Sequence, residues 1–224
     1  MRFPSAHSGV KKLFISELIG FIAALLGVVA AILLAAAPAL EEGSARTGIL
    51  AAAGTVGLVS AIVMIVVFVL QLVGLWQGGK DEDQIRYAFF LTIFAVVLGL
   101  TAAILGAIPN NSVVATIASY VRIAVDIATV LALEYTLLGI AALANKLGDS
   151  KMERLGRMLA IIVMVLFILS ILLNLYPNFI NTAKAPDWVN TMIAVTGIVA
   201  GVVELAVYII TIVYYGKATK MLKK

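Results

Sequence analysis

The chain contains a nearly unbroken apolar run, MLAIIVMVLFILSILLNL, at residues 158–175. Its only polar members are Ser170 and Asn174. A helix that crosses a membrane needs about 20 apolar residues, because the hydrocarbon layer offers the backbone no hydrogen-bond partners outside the helix itself. A helix in the core of a soluble protein rarely needs such a run. The run therefore predicts a membrane-spanning helix.

Five further segments of the chain have the same apolar character. The predicted spans are residues 13–39, 48–77, 87–108, 113–145, 156–176 and 188–215. The first segment is expected to be retained, because it is much longer than the roughly 7–15 apolar residues of a signal peptide. The joints are too short for a soluble domain, so residues 1–224 are predicted to form a single transmembrane domain. The predicted fold class is an all-α integral membrane protein with a six-helix transmembrane bundle.

The composition restricts the class of function. The chain is 63% hydrophobic and 12% charged, whereas soluble domains are about 45–50% apolar and about 25% charged. The lipid bilayer is thus the expected partner, and the basic residues lie at span ends, so we expect no nucleic-acid binding. With no Cys and one histidine, His7, the chain is expected to hold no metal and no cofactor. It has no catalytic signature motif, and we expect that it is not an enzyme.

The distribution of Lys and Arg predicts the orientation of the spans. Of the sixteen basic residues, thirteen lie in the N-terminal tail, in the charged joints around residues 80–86 and 146–157, or at the C-terminus. Only Arg46 and Lys184 lie on the opposite side. Because positive residues accumulate in cytoplasmic segments, both termini are predicted to be cytoplasmic. The predicted location is the cell membrane, as a multi-pass protein.

The joints also suggest an internal repeat. Joints with Pro or Asn alternate with charged joints, which divides the chain into three helical hairpins of about 68–72 residues each. The sequence GVVAAIL at 27–33 corresponds to GLTAAIL at 99–105, and Pro177 lies 68 positions after Pro109. One hypothesis is three parallel hairpin repeats. The other is chance similarity between apolar segments of limited composition.

Two carboxylates are predicted to lie near the middle of the membrane. Glu134 and Glu204 come 12 and 13 positions before Lys146 and Lys217, a distance of about 18–20 Å along a helix. An ionisable residue at that depth is costly and suggests a functional site. Both are candidates for binding a ligand or carrying a proton, with Tyr208 as a neighbouring candidate. The alternative is a neutral acid that hydrogen-bonds a neighbouring helix.

Three other charged residues are given structural interpretations. Glu17 lies only five positions after Lys12, so we expect it at the inner interface, where the helix dipole favours a negative charge. Arg122 and Asp126 are four positions apart and can pair on one face of a helix near the outer surface. We expect a structural ion pair there, with solute binding by the same pair as the alternative.

Small residues mark the predicted helix contacts. Gly197 and Gly201 lie on one stripe of the sixth span, and Gly74 and Gly78 lie on a similar stripe of the second. Small residues allow helices to approach closely in a membrane. We therefore expect all four glycines to lie in helix–helix contacts, and leucine at Gly201 to disturb the assembly by overpacking.

Two classes of function fit this sequence. The first is a module that binds or transports a small solute, an ion or a proton by means of intramembrane carboxylates. The second is a non-transporting assembly or regulatory subunit, whose striped faces dock on a membrane-protein partner or on further copies in a homo-oligomer. A structure in which Glu134 and Glu204 line a cavity favours the first class, and a dry helix contact at those residues favours the second.

Overall fold

Six long helices form almost all of the described chain. In this computed structural model, residues 2–39, 43–108, 112–179 and 187–223 are described. The helices are α1 (Pro4–Ala36), α2 (Ser44–Gly78), α3 (Asp83–Gly106), α4 (Ser112–Lys146), α5 (Ser150–Phe179) and α6 (Asp187–Lys223), and a 3₁₀ turn at Ala37–Ala39 follows α1. By length and composition, each could cross a membrane. The predicted all-helical architecture with six apolar segments is confirmed.

The helices extend beyond several of the predicted spans. α1 begins at Pro4 instead of residue 13, because proline fits the first turn of a helix. α6 continues through the basic C-terminal segment to Lys223. α5 does not stop at residue 176 and passes through Pro177 to Phe179. Pro177 has no backbone N–H to donate within the helix, and α5 ends two residues after it.

The six helices form a closed ring. Each helix contacts the next one along the chain, and α6 contacts α1. The most extensive contacts join α1 to α2 and α3 to α4, whereas the contacts of α2 with α3 and of α5 with α6 are the smallest around the ring. The ring therefore divides into two three-helix groups, one of α6, α1 and α2 and the other of α3, α4 and α5.

Small residues form the contact between α1 and α2. Buried residues recur every seven positions on both helices: Gly9, Ser16, Ala23 and Ala30 on α1, and Ala53, Ser60, Val67 and Gly74 on α2. A seven-residue spacing keeps one side of each helix towards its partner over a long distance. The Ser60 hydroxyl donates a hydrogen bond of 2.9 Å to the Ala23 carbonyl oxygen across this contact.

The contact between α3 and α4 has the same spacing. Its buried members include Ala88, Ala95 and Ala102 on α3 and Ala118, Ala132 and Gly139 on α4. The three α3 alanines lie 72 positions after Ser16, Ala23 and Ala30 of α1. This is the offset at which GVVAAIL and GLTAAIL correspond. The first two hairpins thus use equivalent positions for their contacts, and the three-hairpin repeat stays a prediction.

The apolar core is concentrated at the end of the bundle that carries the chain termini and the two charged joints. The largest fully buried side chains there are Tyr214, Tyr215, Ile85, Leu137, Ile140, Leu143, Leu159, Leu222 and Val10. Two polar contacts tie this end together. Asp81 Oδ2 accepts a hydrogen bond of 2.7 Å from the Ala6 backbone N–H, and Lys146 Nζ lies 2.6 Å from Glu82 Oε2.

A short turn joins α4 to α5. Gly148 has φ +76°, a conformation that favours glycine. Its N–H donates to the Asn145 carbonyl oxygen, and the Asp149 N–H donates to that of Ala144, both at 2.9 Å. This pair of bonds is a Schellman C-cap. Asp149 Oδ1 then accepts the Met152 N–H at 3.1 Å and caps α5, so the chain reverses within three residues.

Candidate functional site around Glu17

Two cavities lie where the two three-helix groups meet. The α2–α3 cavity has a volume of about 380 Å³ and is lined by Leu13, Glu17, Phe68, Gln71, Leu75, Thr92, Ala95, Val96, Val125, Thr129, Ala132, Leu133, Thr136 and Tyr215. The α5–α6 cavity has a volume of about 360 Å³ and is lined by Glu17, Val130, Leu133, Val163, Leu166, Phe167, Ser170, Glu204, Val207, Tyr208 and Thr211. Glu17 and Leu133 line both cavities.

Side chains from three helices meet at Glu17. The half-buried Gln71 of α2 donates a hydrogen bond of 3.0 Å from Nε2 to Glu17 Oε1. The Tyr208 hydroxyl of α6 donates to the Glu17 backbone carbonyl oxygen at 3.1 Å. The Tyr208 hydroxyl lies 3.7 Å from where a Cβ on Gly20 would be, so Tyr208 packs against α1 at this level. Glu17 is therefore held inside the bundle.

The threonine hydroxyl groups in the α2–α3 cavity already donate hydrogen bonds within their own helices. Thr92, Thr129 and Thr136 each donate to the carbonyl oxygen four residues earlier in the same helix, at 2.8, 2.9 and 2.7 Å. A threonine hydroxyl has one hydrogen and two acceptor lone pairs. With the hydrogen used within the helix, these side chains offer acceptor oxygens to the cavity.

Both cavities are lined by acidic residues and by no basic residue among those described. The α2–α3 cavity contains Glu17, and the α5–α6 cavity contains Glu17 and Glu204. None of the described residues that line either cavity is Lys, Arg or His. A carboxylate away from water is stabilised by a partner of opposite charge. The arrangement favours a cation or a proton at Glu17.

The structure separates the two predicted carboxylates. Glu204 is exposed and lines the α5–α6 cavity together with Tyr208. Glu134 is half-buried and lines neither of the two cavities. The two residues therefore do not share a site. Tyr208, which was a candidate beside Glu204, is in hydrogen-bond contact with Glu17.

Arg122 and Asp126 do not form the expected ion pair. Both side chains are exposed, and no salt bridge joins them in the part of the chain that the structure describes. Arg122 Nη2 instead lies 3.3 Å from where a Cβ on Gly106 would be. The guanidinium therefore lies next to Gly106 at the end of α3.

The glycines divide into two groups. A Cβ on Gly74 would lie 3.0 Å from the Gly9 carbonyl oxygen, and one on Gly78 would lie 2.9 Å from Ile85 Cγ2, so both positions are in close helix contacts. Gly197 and Gly201 are exposed and have no atom within 4 Å of the corresponding Cβ positions. Among the described residues, the contact expected for this second pair is not found.

The sequence predicts Glu17 at the inner interface, and the structure adds that it lies beside both cavities in contact with Gln71. The expectation for Glu17 uses only its distance from Lys12 along α1 and takes no account of the neighbouring helices. Gln71 lies three positions before Gly74, on the helix face that carries Gly74 and Gly78, and this polar residue in an apolar span is a sequence signal for the site. Because α1 and α2 are antiparallel, the contact of Gly9 with Gly78 brings Glu17 to within one residue of the level of Gln71. The register between the helices was the missing information.

Comparisons of the chain with protein-family models, with curated protein sequences and with solved structures found no match. Among the described residues, no group of three or more His, Asp or Glu side chains could hold a metal ion. The chemical interpretation of the site therefore follows from its lining and its hydrogen bonds.

Proposed function

We propose that the chain is an integral membrane protein of the cell membrane, with both termini and both charged joints in the cytoplasm. Six apolar helices support this proposal. Large apolar side chains are exposed along their outer halves, among them Ile32, Leu58, Ile104 and Ile198. Surfaces of this kind mark contact with lipid or with another protein. The excess of Lys and Arg on one side supports the orientation.

Cysteine labelling tests the orientation. The chain has no native Cys, so single cysteines can be placed at the exposed positions Ser44, Ser112, Asp83 and Ser150. In intact cells, an impermeant thiol reagent should label the first two and leave the last two unlabelled until the membrane is opened. Labelling of Asp83→Cys and Ser150→Cys from outside would reverse the proposed topology.

The function that the site supports best is binding and transfer of a small solute, an ion or a proton through the interior of the bundle. The observation that carries this proposal is the position of Glu17, which lines both cavities and is contacted by Gln71. A charged group within a membrane costs about 2.5–3.5 kcal/mol on insertion scales and is a functional-site hypothesis by default. On this proposal the protein is not an enzyme and needs no cofactor.

The arrangement of the two helix groups suggests how transfer takes place. The cavities lie at the two smallest contacts of the ring, α2 with α3 and α5 with α6. Leu133 and Glu17 lie between them. A cation that enters one cavity pairs with Glu17 and leaves through the other when the two groups shift against each other. Such movements of rigid helix groups around a fixed site are typical of transporters.

Glutamine variants in proteoliposomes test the proposal. Glutamine keeps the shape of the glutamate side chain and much of its hydrogen bonding, but it has no charge and no acidic proton. With an internal pH dye and a panel of labelled solutes, we expect Glu17→Gln to reduce the flux at least tenfold. Glu134→Gln is the matched control and should behave as wild type, because Glu134 lines neither cavity. Equal flux in wild type and Glu17→Gln would contradict a carrier role for Glu17.

A second candidate is the non-transporting assembly or regulatory subunit. The open, exposed positions at Gly197 and Gly201, beside the exposed Glu204, favour it, because a partner helix could approach closely there. The same experiment separates the two candidates. Wild-type protein that carries no flux for any solute or for protons would favour the assembly function.

A further inference from the structure

We propose that the α2–α3 cavity binds a small organic ammonium ion with an apolar body. This inference rests on the proposed function and specifies the class of solute. It follows from three properties of the cavity, namely its charge, its hydrogen-bonding groups and its size.

The charge of the cavity selects a cation. Glu17 is the one acidic residue among the described residues that line it, and none of them is basic. Gln71 and Tyr208, the two side chains that hydrogen-bond Glu17, are neutral. A carboxylate has about four acceptor sites, so Glu17 can accept further hydrogen bonds from a ligand. An anionic ligand would instead be repelled by this residue.

The hydrogen-bonding groups of the cavity select a ligand that donates. The three threonine hydroxyls donate within their own helices, and the Gln71 amide donates to Glu17. The oxygen atoms of Thr92, Thr129, Thr136 and Glu17 remain as acceptors. They outnumber the donors left among the lining residues, which are the second Gln71 N–H and the Tyr215 hydroxyl. A primary ammonium group has three N–H donors and no acceptor. It therefore matches this lining better than an alcohol or an ether of the same size.

The size and the walls of the cavity select an organic body. The volume of about 380 Å³ lies within the range of about 300–1,000 Å³ that is usual for small-molecule sites. Phe68, Leu75, Val96, Leu133 and Tyr215 form much of the wall, and aromatic rings also attract cations. A bare Ca²⁺ ion takes about six to eight oxygen ligands, more than one carboxylate and three hydroxyls supply.

Four probes with the same ring test the ligand class. Wild-type protein in lipid nanodiscs is titrated calorimetrically with benzylammonium, benzyltrimethylammonium, benzyl alcohol and benzoate, and empty nanodiscs give the blank. We expect benzylammonium to bind at least tenfold more tightly than benzyl alcohol and benzoate. Benzyltrimethylammonium should bind more weakly than benzylammonium, because it has the charge but no N–H donors for the threonine oxygens.

Variants assign the binding to this cavity. Glu17→Gln should weaken benzylammonium binding at least tenfold, to the level of benzyl alcohol, while Glu17→Asp should retain most of it. Glu134→Gln should bind as wild type, because Glu134 lies outside the lining. Thr129→Trp places an indole on an exposed position of the lining and should prevent binding of every probe. Thermal unfolding of each variant confirms that it is folded.

The outcomes distinguish the ligand class from the proposed function. Suppose that benzyl alcohol or benzoate binds as tightly as benzylammonium and that Thr129→Trp prevents this binding. The binding site in the cavity is then confirmed, and the proposal that its ligand is an ammonium ion is wrong. Suppose instead that no probe binds while proteoliposomes show proton flux that depends on Glu17. The ammonium class is again wrong, and the proposed function stands. Absence of both binding and flux would overturn both.

Discussion

Alanine in place of Gly9 is expected to destabilise the folded protein by about 1–3 kcal/mol, the usual cost of overpacking. A loss of stability on changing glycine to alanine within a helix is unusual, because alanine stabilises an isolated helix by about 1 kcal/mol relative to glycine. A Cβ on Gly9 would lie 2.5 Å from both the Gly74 carbonyl oxygen and the Gly78 nitrogen. Both are backbone atoms, so no side-chain rotation can relieve the overlap, and α1 must move away from α2.

Gly54→Ala is the matched control for this change. Gly54 lies in α2, and no atom is found within 4 Å of its Cβ position, so alanine there should be neutral or stabilising. Gly201→Ala should behave in the same way. Unfolding in detergent, followed by the fluorescence of Trp76 and Trp188, gives the comparison. If Gly9→Ala is as stable as Gly54→Ala, the close contact between α1 and α2 is wrong.

The number and type of the helices could be predicted from the sequence, because they depend on local composition. A membrane is spanned by helices or by closed β-barrels, and the largely apolar run of eighteen residues at 158–175 exceeds the roughly 9–11 residues of a barrel strand, which leaves a helix. The ends of the helices were less predictable. Hydropathy reports where the apolar segment stops, whereas α1 and α6 continue as helices through polar residues to Pro4 and Lys223.

The candidate site could be predicted only in part. The sequence predicts intramembrane carboxylates at Glu134 and Glu204, and their role stays a prediction, whereas the carboxylate that the structure shows beside both cavities is Glu17. Depth along a single helix was estimated from the nearest lysine, and this estimate carries no information about the neighbouring helix. The hydrogen bond between Gln71 and Glu17 joins positions 54 residues apart. Its existence depends on the register of α1 against α2, which the apolar periodicity does not specify.

The stripes of small residues also carry no information about the neighbouring helix. Helical spacing predicts that Gly197 and Gly201 share a face, and equally that Gly74 and Gly78 share one. It does not predict what lies opposite. The second pair meets Gly9 and Ile85, whereas the first meets no atom of the described chain. A similar limit applies to Arg122 and Asp126, where the spacing allows an ion pair and the structure places the guanidinium next to Gly106.

The other large effect is expected at Ile85, where alanine should destabilise the protein by about 2–5 kcal/mol, the range for truncating a buried aliphatic side chain. Ile85 is 0% exposed. Its side chain fills the space between two glycines of other helices, since Cβ atoms on Gly78 and Gly139 would lie 2.9 and 2.5 Å from it. Ile85 thus joins α2 of one three-helix group to α3 and α4 of the other.

The cost of Ile85→Ala tests how these two groups are joined. Transfer from lipid to the protein interior gives little hydrophobic free energy, so the effect comes mainly from the cavity that the truncation leaves. Ile104→Ala on the same helix is the control and should be nearly neutral, because Ile104 is 69% exposed. Both variants are compared with wild type by thermal unfolding in detergent. If the two are equally stable, Ile85 does not join the groups. If only Ile85→Ala is destabilised, the two groups are held together at the end of the bundle that carries the termini, and any shift between them must take place around that end.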